Sequence, residues 1–372
     1  MWSDQGVGSA TNLPQVRGFA LGAPDPASAN GHVLWSDHVR SGGTLASMSI
    51  VSEIKERGVE AVREWAMKLD GAEPARAVAD TSGLPREALL QLADRVRRWH
   101  EAQRPADVQL EVEPGVLLER RWLALDTVGI YVPRNLISTL VMCAVPAQVA
   151  GVRRIVVCTP PSGSGMIAAA ADALGVDEVW AIGGAQAIGW LAYVERVDKI
   201  VGPGNDYVNE AKLEVSRDVP IDLPGGPSEV VVLGDGDPEL IELELAAQRE
   251  HGHDAVCRTV NTLEEAEAIA PEHLVLLGEA EGYVDRVRNA GTVFVGPWSA
   301  VPAGDYATGG NHVLPTNGWA RSVGGLGVET FLKPMTVQRL TREGLELIAP
   351  TVEALAAAEG MPAHAEAVRR RT

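Results

Sequence analysis

Five of the eight histidines in this 372-residue chain, His251, His253, His273, His312 and His364, fall in its last third, and none lies between His100 and His251. Four of the five stand near a carboxylate or an amide: Gln248-Arg249-Glu250-His251, Glu272-His273, Asp305 ahead of Asn311-His312, and Glu359 ahead of His364. Neutral imidazole, carboxylate and amide oxygen together bind a zinc-like cation, and imidazole moves protons near neutral pH. Gln248 and His251 are three apart on a predicted helix and share a face, a spacing that suits two ligands of one metal. Glu272 and His273 could divide two proton transfers between them. They follow Pro271 in a predicted loop or helix start. Adjacent residues on a regular element point apart, so a shared task requires irregular backbone there. Asp305 and His312 share the glycine-flanked loop from Gly304 to His312. Each residue alone has a plainer reading as an ordinary surface or core side chain. Together they predict one polar site assembled from distant segments.

The elements that must position these residues alternate between strand and helix. Thr127–Val132, Arg154–Thr159, Glu178–Ile182 and Lys199–Val201 read as strands. Leu140–Ala150, Met166–Leu174 and Ala185–Tyr193 read as helices between them, with Gly and Pro at the turns. That alternation predicts a parallel, Rossmann-like sheet whose ligands lie at the carboxyl ends of the strands. Gly183-Gly184-Ala185-Gln186 and Gly202-Pro-Gly-Asn205 are the nucleotide candidates there, with tight structural turns as the alternative. Gly163-Ser-Gly165-Met-Ile-Ala168 fits a G-x-G-x-x-A pattern, but its turn is lengthened and no acid follows at the expected distance. Upstream, residues 1–45 read as an irregular arm, followed by helices over Ser47–Leu69 and Arg86–Arg104. Downstream come strand Glu229–Leu233, helix Pro238–His251, strands Ala255–Val260 and Thr292–Val295, and helices from Val337 to the end.

Composition excludes several classes. A net charge of −18 repels nucleic acid and anionic membranes. No run of about 18 apolar residues is present, so no membrane span is expected. The N-terminal stretch has no basic start followed by an apolar run, so no secretory signal is expected. Three cysteines, Cys143, Cys158 and Cys257, make no disulfide framework and fit a reducing cytoplasm, with Cys143 and Cys158 expected as buried, inert thiols.

Longer strings carry a resemblance. Gly129-Ile-Tyr-Val-Pro133, Ala181-Ile-Gly-Gly-Ala-Gln-Ala-Ile188, Val197-Asp-Lys-Ile-Val-Gly-Pro-Gly-Asn205, Ile221-Asp-Leu-Pro-Gly-Gly-Pro-Ser-Glu-Val230, Pro271-Glu-His-Leu274 and Gly304-Asp-Tyr-Ala-Thr-Gly-Gly-Asn-His-Val-Leu-Pro-Thr316 are collinear. They closely resemble the histidinol dehydrogenase family from about residue 127 onward; the first 110 residues match only in helical character. The resemblance implies zinc-dependent, NAD-dependent oxidation of an amino alcohol to an amino acid, with an aldehyde held between two hydride transfers. By motif, Gln248, His251, Asp305 and His364 would bind zinc. His273 would take the alcohol proton, and Glu272 would help activate water. Ser228, His312 and Glu359 match positions around the substrate, which the four zinc positions and His273 also surround. Tyr131, Gln186 and Asn205 match NAD-contacting positions. The family is homodimeric, which would place Glu359 and His364 across the interface.

The expected fold is α/β, with two Rossmann-like parallel-sheet domains and a helical C-terminal tail. The arm 1–45 precedes a discontinuous main domain, 46–126 and 230–330. Residues 127–229 form the nucleotide-binding domain, and 331–372 the helical dimerisation tail. The chain departs from the family pattern in three shortened stretches, at 133–139, 193–197 and between His251 and Glu272. Three readings follow: a histidinol dehydrogenase making histidine, a paralogue with the same chemistry on another hydroxyl-bearing substrate, and a non-catalytic zinc- or ligand-binding relative. The retained Glu272-His273 pair speaks against the third, and the trimmed loops favour the second for the physiological role.

Overall fold

The computed structural model describes residues 49–372, so the arm expected over 1–45 lies outside the described residues. The helix expected over 47–69 is two helices, α1 (Ile50–Arg57) and α2 (Val59–Leu69). Gly58 divides them at φ +61°, a conformation that an L side chain resists. A two-residue strand, β1 (Ala75–Arg76), and α3 (Arg86–Ala102) follow. β2 (Val108–Glu113) and β3 (Val116–Ala124) then pair as an antiparallel hairpin that the sequence reading did not contain.

The predicted alternation comes next: β4 (Thr127–Tyr131), α4 (Ile137–Ala150), β5 (Arg154–Thr159), α5 (Ser164–Leu174), β6 (Glu178–Ala181), α6 (Gly184–Gly189), β7 (Lys199–Val201) and α7 (Asp206–Val215). A π-helical turn, Trp190–Val194, extends α6. The sheet order is β1-β6-β5-β4-β7, and every pair except β1 with β6 is parallel. Strand order therefore reverses between β4 and β7, where the carboxyl ends of such sheets open a ligand crevice. Alternate residues face opposite layers. Ile130 and Val157 pack with α3, α4 and α5, whereas Tyr131 and Cys158 pack with α1, α2, α6 and α7. The helices of residues 50–102 thus cover this first sheet. Their apolar stripes, Val51, Ile54 and Val62 on one face and Leu89, Leu92 and Val96 on the other, meet side chains supplied by residues 127–229.

The second sheet comprises β8 (Glu229–Gly234), α8 (Pro238–Arg249), β9 (Val256–Val260), α9 (Leu263–Ile269), β10 (His273–Leu277), β11 (Thr292–Val295) and α10 (Val301–Tyr306). Its order is β11-β10-β8-β9, all parallel. A third sheet forms when β12 (Leu332–Leu340) pairs antiparallel with β3, from Leu332 opposite Ala124 to Leu340 opposite Val116. Residues 337–340, expected to be helical, are strand because that nine-residue register on β3 claims them. The helices begin at α11 (Arg342–Ala358), capped by the Thr341 hydroxyl, and end with α12 (Pro362–Arg369). No helix among the described residues is long and apolar enough to cross a membrane. Cys143 and Cys158 are buried free thiols, and burial pushes both upward in pKa.

Candidate active site

The polar residues gather at the amino edge of the second sheet. Ser228 precedes β8, Glu229 opens it, and Glu272-His273 opens the neighbouring β10, where His273 lies beside Val230 in register. α8 runs back towards that edge with Gln248 in its last turn; it stops at Arg249, short of the His251 end expected, so His251 stands on the following turn, and the loop after α10 adds His312 to Asp305. Glu272 therefore sits on the bend that leads into β10, within the loop expected, whereas His273 is the first residue of the strand. The two side chains meet because both bond to the backbone of one residue, Glu229. The Glu229 N–H donates to the Glu272 carboxylate at 2.9 Å, and His273 Nδ1 donates to the Glu229 carbonyl at 3.0 Å. The Ser228 hydroxyl donates to the same Glu272 oxygen at 2.5 Å. His273 Nδ1 lies 3.7 Å from that oxygen.

These bonds fix protonation. Because a carbonyl can only accept, the His273 proton sits on Nδ1 and the lone pair on Nε2. That Nε2 is buried, has no hydrogen-bond partner, and lies 3.9 Å from Asp305 Oδ1. Burial lowers the His273 pKa against the opposing pull of Asp305, keeping the ring neutral and basic. Burial raises Glu272 to about 7; the Ser228 and Glu229 donors resist this, and the charge of Asp305 adds to it. A carboxyl titrating near neutrality beside a neutral imidazole can both give and take protons at working pH. His312 is held by Nδ1 donating to the Asp305 carbonyl at 3.0 Å, and burial lowers it to about 4.

Gln248 is 2% exposed, and its amide nitrogen is buried without a partner. His251 gives Nδ1 to the Gln248 carbonyl at 3.3 Å, leaving Nε2 free. His251 stands among the neighbours that shift Glu272, His273, Asp305 and His312. Of these, the Gln248 amide oxygen, the Asp305 carboxylate and the free His251 imidazole nitrogen are the donor types that suit a zinc-like ion, with a ligand position left over. Among the described residues, no three His, Cys, Asp or Glu side chains of one chain group around a metal position. His364 and Glu359 lie elsewhere, exposed on α12 and at the end of α11. His253 is an exposed side chain on the turn after α8.

The nucleotide candidates occupy the carboxyl edge of the first sheet. Tyr131 ends β4, and its hydroxyl accepts the Gly184 N–H at 3.3 Å; burial raises it to about 12. Gln186 donates to Asp70 at 2.9 Å, and Asp70 also accepts the Gly183 N–H at 3.1 Å, so Tyr131 and Gln186 meet at one turn. Asn205 caps α7, accepting the Val208 N–H at 3.2 Å. Beneath that cap lies a buried ion pair that the sequence reading missed. Lys212 Nζ lies 2.6 Å from Asp222 and donates to the Gly202 carbonyl at 2.8 Å, while Asp222 accepts the Gly202 N–H at 2.7 Å. The two edges are tied together: His312 Nε2 lies 3.3 Å from the Thr139 hydroxyl on α4, and the Asn311 amide donates to the Met142 carbonyl at 2.7 Å. Asp70, Thr139, Lys212 and Glu229 were all missed. Only Glu229 left a signal, a carboxylate opening a buried apolar strand.

Comparisons with known proteins converge on one family. The family model described as histidinol dehydrogenase matches residues 43–266 and 259–372. The histidinol dehydrogenase of Methanosarcina barkeri is 37% identical over 391 aligned positions, covering 87% of this chain and 90% of that protein. The histidinol dehydrogenase of Methanothermobacter thermautotrophicus is 38% identical, covering 87% and 92%. The crystal structure of histidinol dehydrogenase from Elizabethkingia anophelis superposes with a TM-score of 0.80 at 32% identity, covering 87% of this chain and 90% of that one. The 391-position alignment is longer than the 372-residue chain, so the Methanosarcina barkeri protein carries residues that this chain lacks. The family-model match divides at residues 259–266, inside the shortened stretch between His251 and Glu272. The chain belongs to the histidinol dehydrogenase family of oxidoreductases.

Proposed function

We propose that this chain catalyses zinc-dependent, NAD-linked oxidation of an amino alcohol, with L-histidinol the first candidate, through the aldehyde to the amino acid. One observation carries the reading: a neutral His273 with a bare, buried Nε2 stands beside a Glu272 carboxyl held near neutrality. In the alcohol step His273 Nε2 takes the hydroxyl proton, its ring held in the required tautomer by the Glu229 carbonyl. In the aldehyde step Glu272 takes a proton from the attacking water, its carboxylate aimed by Ser228 and the Glu229 N–H. NAD, the hydride acceptor, would lie along Tyr131, Gln186 and Asn205 at the crevice of the first sheet. Zinc held by Gln248, His251 and Asp305 would grip the substrate's imidazole and amine and so position it.

The fourth ligand would be His364 of the partner subunit, with Glu359 of the partner subunit beside the substrate. The exposure of both residues, away from their own site, supports this exchange. So do exposed apolar side chains on the third sheet and on α11. Val108, Leu110 and Val112 on β2 are 57%, 60% and 46% exposed, and Leu347 and Leu355 on α11 are 53% and 59%. A second copy would bury them.

The division of the family match at 259–266 favours a second reading, the same chemistry on a related alcohol. The test for both is NADH formation by the purified protein with zinc, NAD and a panel of amino alcohols headed by L-histidinol. Turnover that disappears in His273→Asn supports the site. NAD and zinc binding without oxidation of any alcohol would contradict it.

A further inference from the structure

The Glu229 backbone serves both members of the proposed acid–base pair, its N–H bonding Glu272 and its carbonyl bonding His273, and the Glu229 side chain returns the contact. Its carboxylate Oε2 accepts the Glu272 N–H at 3.2 Å, while Oε1 accepts the Asn317 N–H at 3.0 Å. The result is a reciprocal pair of bonds: Glu229 N–H to the Glu272 carboxylate, and Glu272 N–H to the Glu229 carboxylate. Glu229 is 6% exposed. Among the described residues its carboxylate forms no ion pair within 4.0 Å, so it is not held as half of a salt bridge. A buried carboxylate is costly unless its hydrogen bonds are made, and here both oxygens are used on backbone N–H groups. One of those groups belongs to the peptide that carries Glu272. The other belongs to the segment that leads back, through Thr316 and Val313, to His312.

We propose that Glu229 is a positioning residue whose carboxylate locks the start of β10 to the start of β8 and to Asn317, and thereby aims His273 at the substrate hydroxyl and Glu272 at the attacking water. The inference rests on the proposed roles of Glu272 and His273. It goes beyond them because Glu229 itself touches neither substrate nor cofactor. An apolar side chain there would leave two buried N–H groups without acceptors. Glutamine is nearly isosteric but replaces one acceptor oxygen with a donor NH2, which opposes one of the two N–H groups. The neighbouring strands and their cores remain, so the fold survives while the aim of the pair loosens. Misplacement of reacting groups by about 1 Å costs on the order of 100-fold in rate.

The test compares Glu229→Gln, Glu229→Asp, Glu272→Gln and His273→Asn with the zinc-loaded wild type in NADH formation from L-histidinol. Thermal melting is recorded for each variant. The expected result is a fall in kcat for Glu229→Gln of roughly 10- to 100-fold with KM changed by less than about three-fold. Glu229→Asp keeps the carboxylate but withdraws it by one methylene. It should show the same split, more weakly, and takes over the test if the glutamine variant does not fold. Wild-type kcat in the folded Glu229 variants, with Glu272→Gln and His273→Asn disabled, overturns the positioning role and leaves the acid–base pair standing. Wild-type kcat in Glu272→Gln and His273→Asn overturns the reading beneath it. A parallel loss in kcat, KM and melting temperature for both Glu229 variants assigns Glu229 to general structure and also overturns the proposal.

Discussion

Replacing Glu272 with glutamine should make the protein more stable and less active, and the stability gain should grow with pH. The folded Glu272 carboxyl titrates at about 7, against an ordinary value of 4.5, and its side chain is only 8% exposed. A raised carboxyl pKa means that the folded state holds its proton more tightly than the unfolded chain does. The native form is therefore favoured fully below about pH 4.5 and loses that advantage as pH rises to about 7. Over the whole window the cost approaches about 3 kcal/mol, and between about pH 5.5 and about pH 8.5 it grows by about 2 kcal/mol. Glutamine carries no charge to bury, and its carboxamide oxygen can still accept from Ser228 and the Glu229 N–H. The assay is urea unfolding of metal-stripped wild type and Glu272→Gln at the two pH values. The variant should gain about 2 kcal/mol on the wild type between them, while its oxidation of the aldehyde falls by on the order of 100-fold. A stability difference that is flat with pH would refute the argument that burial holds this carboxyl near neutrality.

Other outcomes follow from the same geometry. His273→Asn should lower turnover at least about 100-fold while zinc content, read by metal analysis, stays near that of wild type; loss of zinc would reassign the residue. Lys212→Met leaves Asp222 as an unpaired buried charge and should cost about 3–5 kcal/mol in denaturant unfolding, with a raised KM for NAD because the Gly202 turn loses its anchor. Gly202→Ala should weaken NAD binding by calorimetry, because a methyl there would collide with the Tyr131 carbonyl oxygen and the position sits at φ +108°. Mixing Gln248→Ala with His364→Ala should restore part of the activity that each lacks; no recovery after confirmed heterodimer formation would contradict shared sites.

The first sheet was legible because its strands are short β-branched runs ended by Gly or Pro. Arg154–Thr159 and Lys199–Val201 form as read, and the crevice-edge turns fall where their glycines stand. The third sheet was not legible, because β12 becomes a strand only by pairing with β3, far away in sequence. Strand propensity without its partner looked helical at Val337. A loop or helix start at Glu272-His273 holds for Glu272, which lies on a bend, but not for His273, which opens the apolar strand-length run Leu274-Val-Leu-Leu277. Local spacing found the donor types at Gln248, His251 and Asp305. It could not show that these residues and Glu272-His273 share the amino edge of one sheet, because that depends on β8 and β10 being neighbours. Glu229, Asp70 and Lys212 bond chiefly to backbone N–H or carbonyl groups distant in sequence, so residue type alone gave them no role.

The most direct test is the yield of NADH when a limiting amount of L-histidinol is exhausted by the zinc-loaded protein with excess NAD. The account predicts two NADH for each L-histidinol, with histidine as product and none formed by His273→Asn. No NADH from L-histidinol or any related amino alcohol, in protein shown to bind both zinc and NAD, would contradict it.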